Sequence, residues 1–317
     1  MAHNTYERLT MEIITDIYNC KATPCAATVG SFDGVHLGHA AMLGELRAAA
    51  ETRKLPVAAV TFKRHPRMLF DGQCEPFLLT TNKEKTMLLE KAGVDMLVML
   101  DFDSYMASMS AERFMKEILS ESLGVRMLAV GYDHHFGKPC DDEGIGQYKE
   151  YGNRHCIEVF ETKPFDVNGC RVSSSCVRRA LAAGDMTTAL SLLGHKYSIE
   201  GTVVHGAGVG HRLGFPTANI LTSEEMLMLP YDGVYEVDAF VEGSRYKGVM
   251  NIGFKPTVND SRVRTIEVYL IDFSADIYGS AIRVEPLRRL RDEKAFGNAD
   301  ALRFQIEVDV ARVKRGI

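Results

Sequence analysis

An α/β domain on a parallel sheet, followed by an antiparallel β-barrel domain with a closing helix, is the fold class that the sequence predicts. Three observations predict it. Up to about residue 185, short apolar strand-like runs alternate with helical stretches, the pattern of a doubly wound parallel sheet. From Tyr197 onward, short strands with alternating side chains follow one another between turn signals, as in an antiparallel sheet or closed barrel. The last segment, about 298–314, sets Leu302, Ile306, Val310 and Val313 on one helical face.

The elements follow in order. In the first part the strands are expected at 26–29, 57–62, 96–102, 126–131 and 155–160. The helices between them are expected at 40–52, 82–92, 110–122 and 144–151, with Thr81 or Asn82 capping the second and Ser110 the third. Ligands of such sheets bind beyond the carboxyl ends of strands, where Gly30, Phe62 and Gly131 fall. A short linking helix is expected at 186–193. Strands then fall at 199–205, 233–241, 245–252, 265–273 and 282–287, separated by Asp232-Gly233, Glu242-Gly243 and Tyr278-Gly279. The pattern changes between Gly184 and Tyr197, which divides the chain into domains 1–184 and 185–317.

The bulk properties bound the function. A chain of 317 residues has the length for two domains, each with its own core. A net charge of −5 supplies no basic field for nucleic acid, and no apolar run is long enough to span a bilayer. The N-terminal segment carries Glu7, Glu12 and Asp16 and does not read as a signal peptide. Seven cysteines without a CxxC pair fit free thiols in a reducing cytoplasm. The expectation is a cytoplasmic monomer or weak homo-oligomer acting on small molecules.

The chemistry concentrates in Gly30-Ser31-Phe32-Asp33-Gly34-Val35-His36-Leu37-Gly38-His39. This stretch lies where a strand turns into a helix. Glycines there admit an anion to the backbone, and the helix start offers free N–H groups. His36 and His39 share a helical face. Two imidazoles beside such a loop suit charge stabilisation in phosphoryl or nucleotidyl transfer. A metal pair is the alternative, with His134 and His135 as further ligands. The spacing is neither a Walker A loop nor a dinucleotide fingerprint.

Further motifs follow in order: Thr61-Phe62-Lys63-Arg64-His65-Pro66, Gly131-Tyr132-Asp133-His134-His135-Phe136-Gly137, and Val172-Ser173-Ser174-Ser175-Cys176-Val177-Arg178. Phe215-Pro216-Thr217-Ala218-Asn219 comes after the glycine-rich loop 206–214, then Gly248-Val249-Met250-Asn251-Ile252-Gly253, and Glu267 in its strand. With these motifs the first part resembles the Rossmann-like HxGH nucleotidyltransferases. The whole chain resembles the bacterial bifunctional riboflavin kinase/FAD synthetases.

The resemblance implies two reactions. The N-terminal module would join FMN to ATP, giving FAD and pyrophosphate, and the C-terminal module would make FMN from riboflavin and ATP with Mg²⁺. In the adenylyl site it implies ATP contacts by Gly30, Phe32, Asp33, Gly34, His36, His39, Ser173, Ser174, Ser175 and Arg178. Phe62, His65 and Asp133 would lie by the flavin. In the kinase site it implies ATP contacts by Gly206, Gly214, Phe215, Pro216, Thr217 and Asn219. Thr217 and Asn219 would reach the metal, Glu267 would be the general base, and Arg291 would border riboflavin. Four positions depart from the family pattern. His134 replaces a usual Phe, Ser174-Ser175 replaces a serine-threonine pair, a basic residue is missing near Gly210, and Lys255 replaces a common Arg.

Two other functions compete. One is nucleotidyl transfer to a different phosphate acceptor, which the second set of motifs opposes. The other is a non-catalytic flavin sensor or carrier, which has no need of His36, His39, Thr217, Asn219 and Glu267.

Overall fold

Six strands build the first sheet: β1 (Glu12–Ile14), β2 (Cys25–Val29), β3 (Val57–Phe62), β4 (Met96–Leu100), β5 (Val125–Gly131) and β6 (Glu158–Thr162). The computed structural model describes residues 10–70, 75–132, 144–206, 208–256 and 262–316. Asp133, His134 and His135 lie outside the described residues. The strands run in the order β1-β4-β3-β2-β5-β6, and every pair is parallel. Five of them overlap expected strands, β6 starting three residues later than the expected 155–160. The sixth, β1, has only three residues, too few for a periodic pattern to show.

Around this sheet lie α1 (Leu37–Glu51), α2 (Arg67–Phe70), α3 (Asn82–Lys91), α4 (Ser104–Ser108), α5 (Ala111–Phe114) and α6 (Ile145–Arg154). Ser110 caps α5 as expected, its hydroxyl accepting from the Arg113 amide at 3.2 Å. Beyond Phe114 the helix continues in wider, π-type turns through Met115–Ser122. Strand β2 is buried at all five positions, because helices cover both faces of a parallel sheet. Ala27 and Val29 pack with Phe114, Ile118 and Leu119. Ala26 packs on the opposite side with Leu43 and Leu46 of α1.

From β2 the chain goes to β3 on one side, and later returns to lay β5 on the other. Strand order therefore reverses at β2. The crevice outside the carboxyl ends of β2 and β5 is the topological switch point, where open α/β sheets receive ligands. The hairpin β7 (Asp166–Val167) and β8 (Cys170–Arg171) completes this part.

Two helices, α7 (Ser174–Ala182) and α8 (Met186–Leu193), lead into the second sheet. Helix α8 matches the helix expected at 186–193, capped by Asp185 and ended by left-handed Gly194, and it lies within the second compact unit. Strands β9 (Ile199–Val204), β10 (Thr217–Thr222), β11 (Gly233–Val241), β12 (Ser244–Pro256), β13 (Arg262–Leu270) and β14 (Ala281–Arg291) form a closed barrel. Its order is β10-β13-β12-β11-β14-β9, antiparallel throughout. A single turn, α9 (Val209–Arg212), interrupts the loop between β9 and β10. Helix α10 (Ala299–Arg315) lays Val313 against Val234, Val249 and Ile271.

The chain divides into two compact units: residues 1–74 with 82–172, and 75–81 with 173–317. Within the second unit, the amides of Phe77 and Leu78 donate to the Met226 carbonyl at 2.9 and 2.8 Å, and the Met228 amide donates to the Leu78 carbonyl at 2.8 Å.

Candidate active sites

In the first unit the site begins where β2 ends. The Gly30 amide donates to the Val60 carbonyl of β3 at 3.0 Å. The chain then turns through a left-handed stretch in which Phe32, Gly34 and Val35 have φ of 48°, 85° and 36°. Glycine takes such values freely, but for Phe and the β-branched Val they are strained, at about 1–3 kcal/mol each. The strain is retained where the loop must present its backbone. Phe32 is fully buried and anchors the turn.

The turn delivers His36 to the N-cap of α1. Its Nδ1 accepts from the His39 amide at 3.3 Å. The ring proton therefore sits on Nε2, which is left as the donor. The two imidazoles stack with centroids 3.7 Å apart and planes 12° from parallel. Phe32 meets the His39 ring at 5.1 Å. His36 is thus a hydrogen-bonded helix cap, its Nδ1 already engaged, which weighs against the metal-pair alternative. The pair can present N–H donors to oxygens carrying developing charge.

In the second unit Thr217 opens β10 and Glu267 lies in the middle of β13. The Thr217 hydroxyl donates to a Glu267 carboxylate oxygen at 3.2 Å. Asn219 and Asn251 stand opposite Glu267 on its two neighbouring strands, so an amide, a carboxylate and an amide form a row across the barrel wall. A Cβ on Gly206 would overlap the Asn219 side chain, which would have to move aside.

Two cavities adjoin Thr217. One, of about 330 Å³, is lined by Phe215, Thr217, Glu267, Tyr269, Arg291 and Phe296 among others. The other, of about 300 Å³, is lined by His211, Pro216, Thr217, Phe273, Asp276 and Tyr278 among others. Arg291 reaches the first cavity in a fixed pose. Its Nε lies 2.9 Å from an Asp309 oxygen, and Asp309 also accepts from Gln305 at 3.0 Å.

Comparisons with known proteins meet this geometry. The FAD synthetase family model matches residues 19–176, and the riboflavin kinase family model matches residues 193–317. The bifunctional riboflavin kinase/FMN adenylyltransferase of Escherichia coli is 38% identical over 303 residues, covering 94% of this chain and 96% of its own length. The chain belongs to this family. The Bacillus subtilis member is 37% identical over 289 residues, 89% of each chain. A solved structure from Streptococcus pneumoniae, described as a macrolide-efflux protein, has a TM-score of 0.86 and 29% identity, covering 96% of this chain and 99% of that one. Among the described residues of this family member, no helix is long and apolar enough to cross a membrane.

Other residues expected at the sites are placed as follows. Phe62 ends β3 and meets Phe102 edge-on at 5.1 Å. His65 accepts the Arg67 amide at 3.2 Å at the start of α2. Ser173 caps α7, accepting from the Cys176 amide at 3.3 Å. Arg178 donates to the Phe77 carbonyl at 2.8 Å and lies over the Phe77 ring. Ser173, Ser174, Ser175 and Arg178 belong to the second compact unit.

Two residues at the sites were missed by sequence reasoning. Asp309 had a visible signal: it falls on the apolar stripe of the last helix, between Ile306 and Val313. Lys85 had none, since a lysine in a ten-residue polar helix reads as exposed, yet it is buried. Asp309 is 1% exposed and, through Arg291, holds one side of the cavity that Glu267 lines. Asp309→Ala removes one anchor of a guanidinium that keeps the Asp292 carbonyl at 3.0 Å, and is expected to destabilise the protein by roughly 1–3 kcal/mol. Urea unfolding is the measurement, and an unchanged midpoint would show that the pair stabilises nothing.

Proposed function

We infer that the chain makes FMN from riboflavin and ATP in its barrel, and FAD from FMN and ATP in its α/β part. Family membership supports both activities. The observation that carries the kinase reading is that Thr217 borders two cavities, only one of which Glu267 lines. A phosphoryl donor on one side of Thr217 and an acceptor hydroxyl on the other would meet at this residue.

In this reading Glu267 takes the proton of the ribityl 5′-hydroxyl as that oxygen attacks the γ-phosphate of ATP, and ADP leaves. Arg291, fixed by Asp309, would border riboflavin. The loop 206–214 with Phe215 and Pro216 would cradle the nucleotide. The hydroxyl of Thr217 and the amide oxygen of Asn219 are hard neutral donors beside a carboxylate. They fit Mg²⁺, which takes its remaining ligands from water and phosphate. Bound there, the ion would neutralise phosphate charge.

In the α/β part an FMN phosphate oxygen attacks the α-phosphorus of ATP, and pyrophosphate leaves. The nucleophile is already an anion, so alignment and charge neutralisation are the requirements. His36 and His39 supply donors, and the backbone of Gly30, Phe32, Asp33 and Gly34 supplies N–H groups. Ser173, Ser174 and Ser175 at the start of α7, with Arg178, are proposed for the distal phosphates. Phe62, His65 and Asp133 are proposed for the flavin. We assign adenylyl transfer to residues 1–184 and the kinase to residues 185–317. A monomeric or weakly associated cytoplasmic enzyme suits these small-molecule substrates.

Substitutions should separate the activities. His36→Ala is expected to lower FAD formation from supplied FMN by about 10²–10³ while FMN formation continues. Glu267→Gln should lower riboflavin phosphorylation by roughly 10²–10⁴ and leave FAD formation unchanged. Chromatographic separation of flavins after incubation with ATP and Mg²⁺ reads both. Parallel loss of the two activities in Glu267→Gln would mean that Glu267 is structural.

A further inference from the structure

We infer that Lys85 is a positioning residue for adenylyl transfer: its buried side chain ties the end of β3 to the loop that carries His36 and His39. The inference rests on the assignment of that loop to adenylyl transfer.

Lys85 projects from α3 and is 7% exposed. Its Nζ lies 3.3 Å from the Ser31 carbonyl, 3.2 Å from the Phe62 carbonyl and 3.5 Å from the Thr61 hydroxyl oxygen. That hydroxyl donates in turn to the Ser31 carbonyl at 3.1 Å. An ammonium has three donors and no acceptor, and here three oxygens surround it. Two of them are carbonyls from the ends of adjacent strand segments. Ser31 follows β2 and immediately precedes the left-handed stretch. Phe62 closes β3.

This geometry answers a question the loop poses. Strained non-glycine residues such as Phe32 and Val35 persist only where their surroundings over-determine them. Lys85 and the Thr61 hydroxyl of β3 together fix the carbonyl next to Phe32. A neutral side chain of equal length would leave the Ser31 and Phe62 carbonyls without this donor.

The tie is built from a costly group. A buried ammonium loses hydration, and the acceptors here carry no full charge. Asp33, buried in the same loop, is the charged group that favours the ammonium, while β3 contributes only the Thr61 hydroxyl and the Phe62 carbonyl. Burial outweighs Asp33 and pulls the Lys85 pKa down to about 8. The ammonium is therefore complete below that pH and is lost as pH rises through it, well before an exposed lysine would titrate. Lys85 touches none of the residues proposed to meet the reacting phosphates through its nitrogen, so its effect reaches them through the loop.

The test uses the full-length protein and two assays on one preparation: FAD formation from FMN and ATP, and FMN formation from riboflavin and ATP. Lys85→Met keeps the apolar stem and removes the ammonium. It should lower kcat for FAD formation about 10- to 100-fold, the range for a slightly misplaced catalytic group. The KM for ATP and the rate of FMN formation should stay as they are. In the parent protein, FAD formation should decline through a basic limb near pH 8 that FMN formation lacks, and Lys85→Met should abolish that limb. A parent-like kcat in Lys85→Met, or the same basic limb in parent and variant, overturns the inference.

If Lys85→Met does not fold, Thr61→Val decides. It removes one acceptor of the ammonium and should move the basic limb to lower pH, and an unmoved limb overturns the inference. His36→Ala separates the two levels of the argument. Full FAD formation in His36→Ala rejects the loop assignment itself. Its loss there, with Lys85→Met unaffected, rejects only the role of Lys85.

Discussion

The parallel pairing of β2 between β3 and β5 is the constraint on which the glycine-histidine loop and the proposed adenylyl site depend. Each neighbour takes one row of the backbone hydrogen-bonding groups of β2, and helices cover both faces. The strand is therefore fully committed, and all the freedom of the segment is displaced to its carboxyl end. There the chain has seven residues, Gly30 to His36, between the last ladder position and the first turn of α1. Within them it reverses through left-handed backbone and places an imidazole on the helix cap. Sheet order sets where this happens, and the residues of the loop set what is presented.

The barrel solves a similar problem by different means. Its strands close on themselves, so no loose edge remains to be adapted. The polar groups proposed for the kinase site, Asn219, Glu267 and Asn251, sit on the wall itself, in register across three strands. Register of this kind is rigid, because a slip of one residue would turn each of these side chains to the opposite face. Arg291 is held by a carboxylate of the last helix.

Much of this was legible in the sequence because it is local. The apolar strands and the glycine-histidine loop each announce themselves within ten residues, and the structure places an element at each. What was not legible is tertiary. Lys85 looks like any solvated helical lysine until the sheet end above it is known. The short strand β1 exists only because β4 offers it an edge to pair with. Strand β10 was hidden by its own motif, since Thr217 and Asn219 draw the eye as phosphate-binding residues and not as a strand. The wide turns of Met115–Ser122 leave no mark in a pattern that reads as an ordinary amphipathic helix.

The segment 75–81 has a consequence for how such chains can be recombined. It precedes α3 in sequence yet belongs to the same compact unit as the barrel. A single crossover between two parents at the middle of the chain therefore puts this segment and its docking partner in different inheritances. The partners at Met226 and Met228 are main-chain atoms, which every parent supplies alike. The graft at Arg178 and Phe77 is also made to a carbonyl, with the ring as a second contact. Chimaeras of distant parents should keep this seam's main-chain bonds as long as they keep its length, while the buried Phe77, Leu79 and Leu227 still have to be matched.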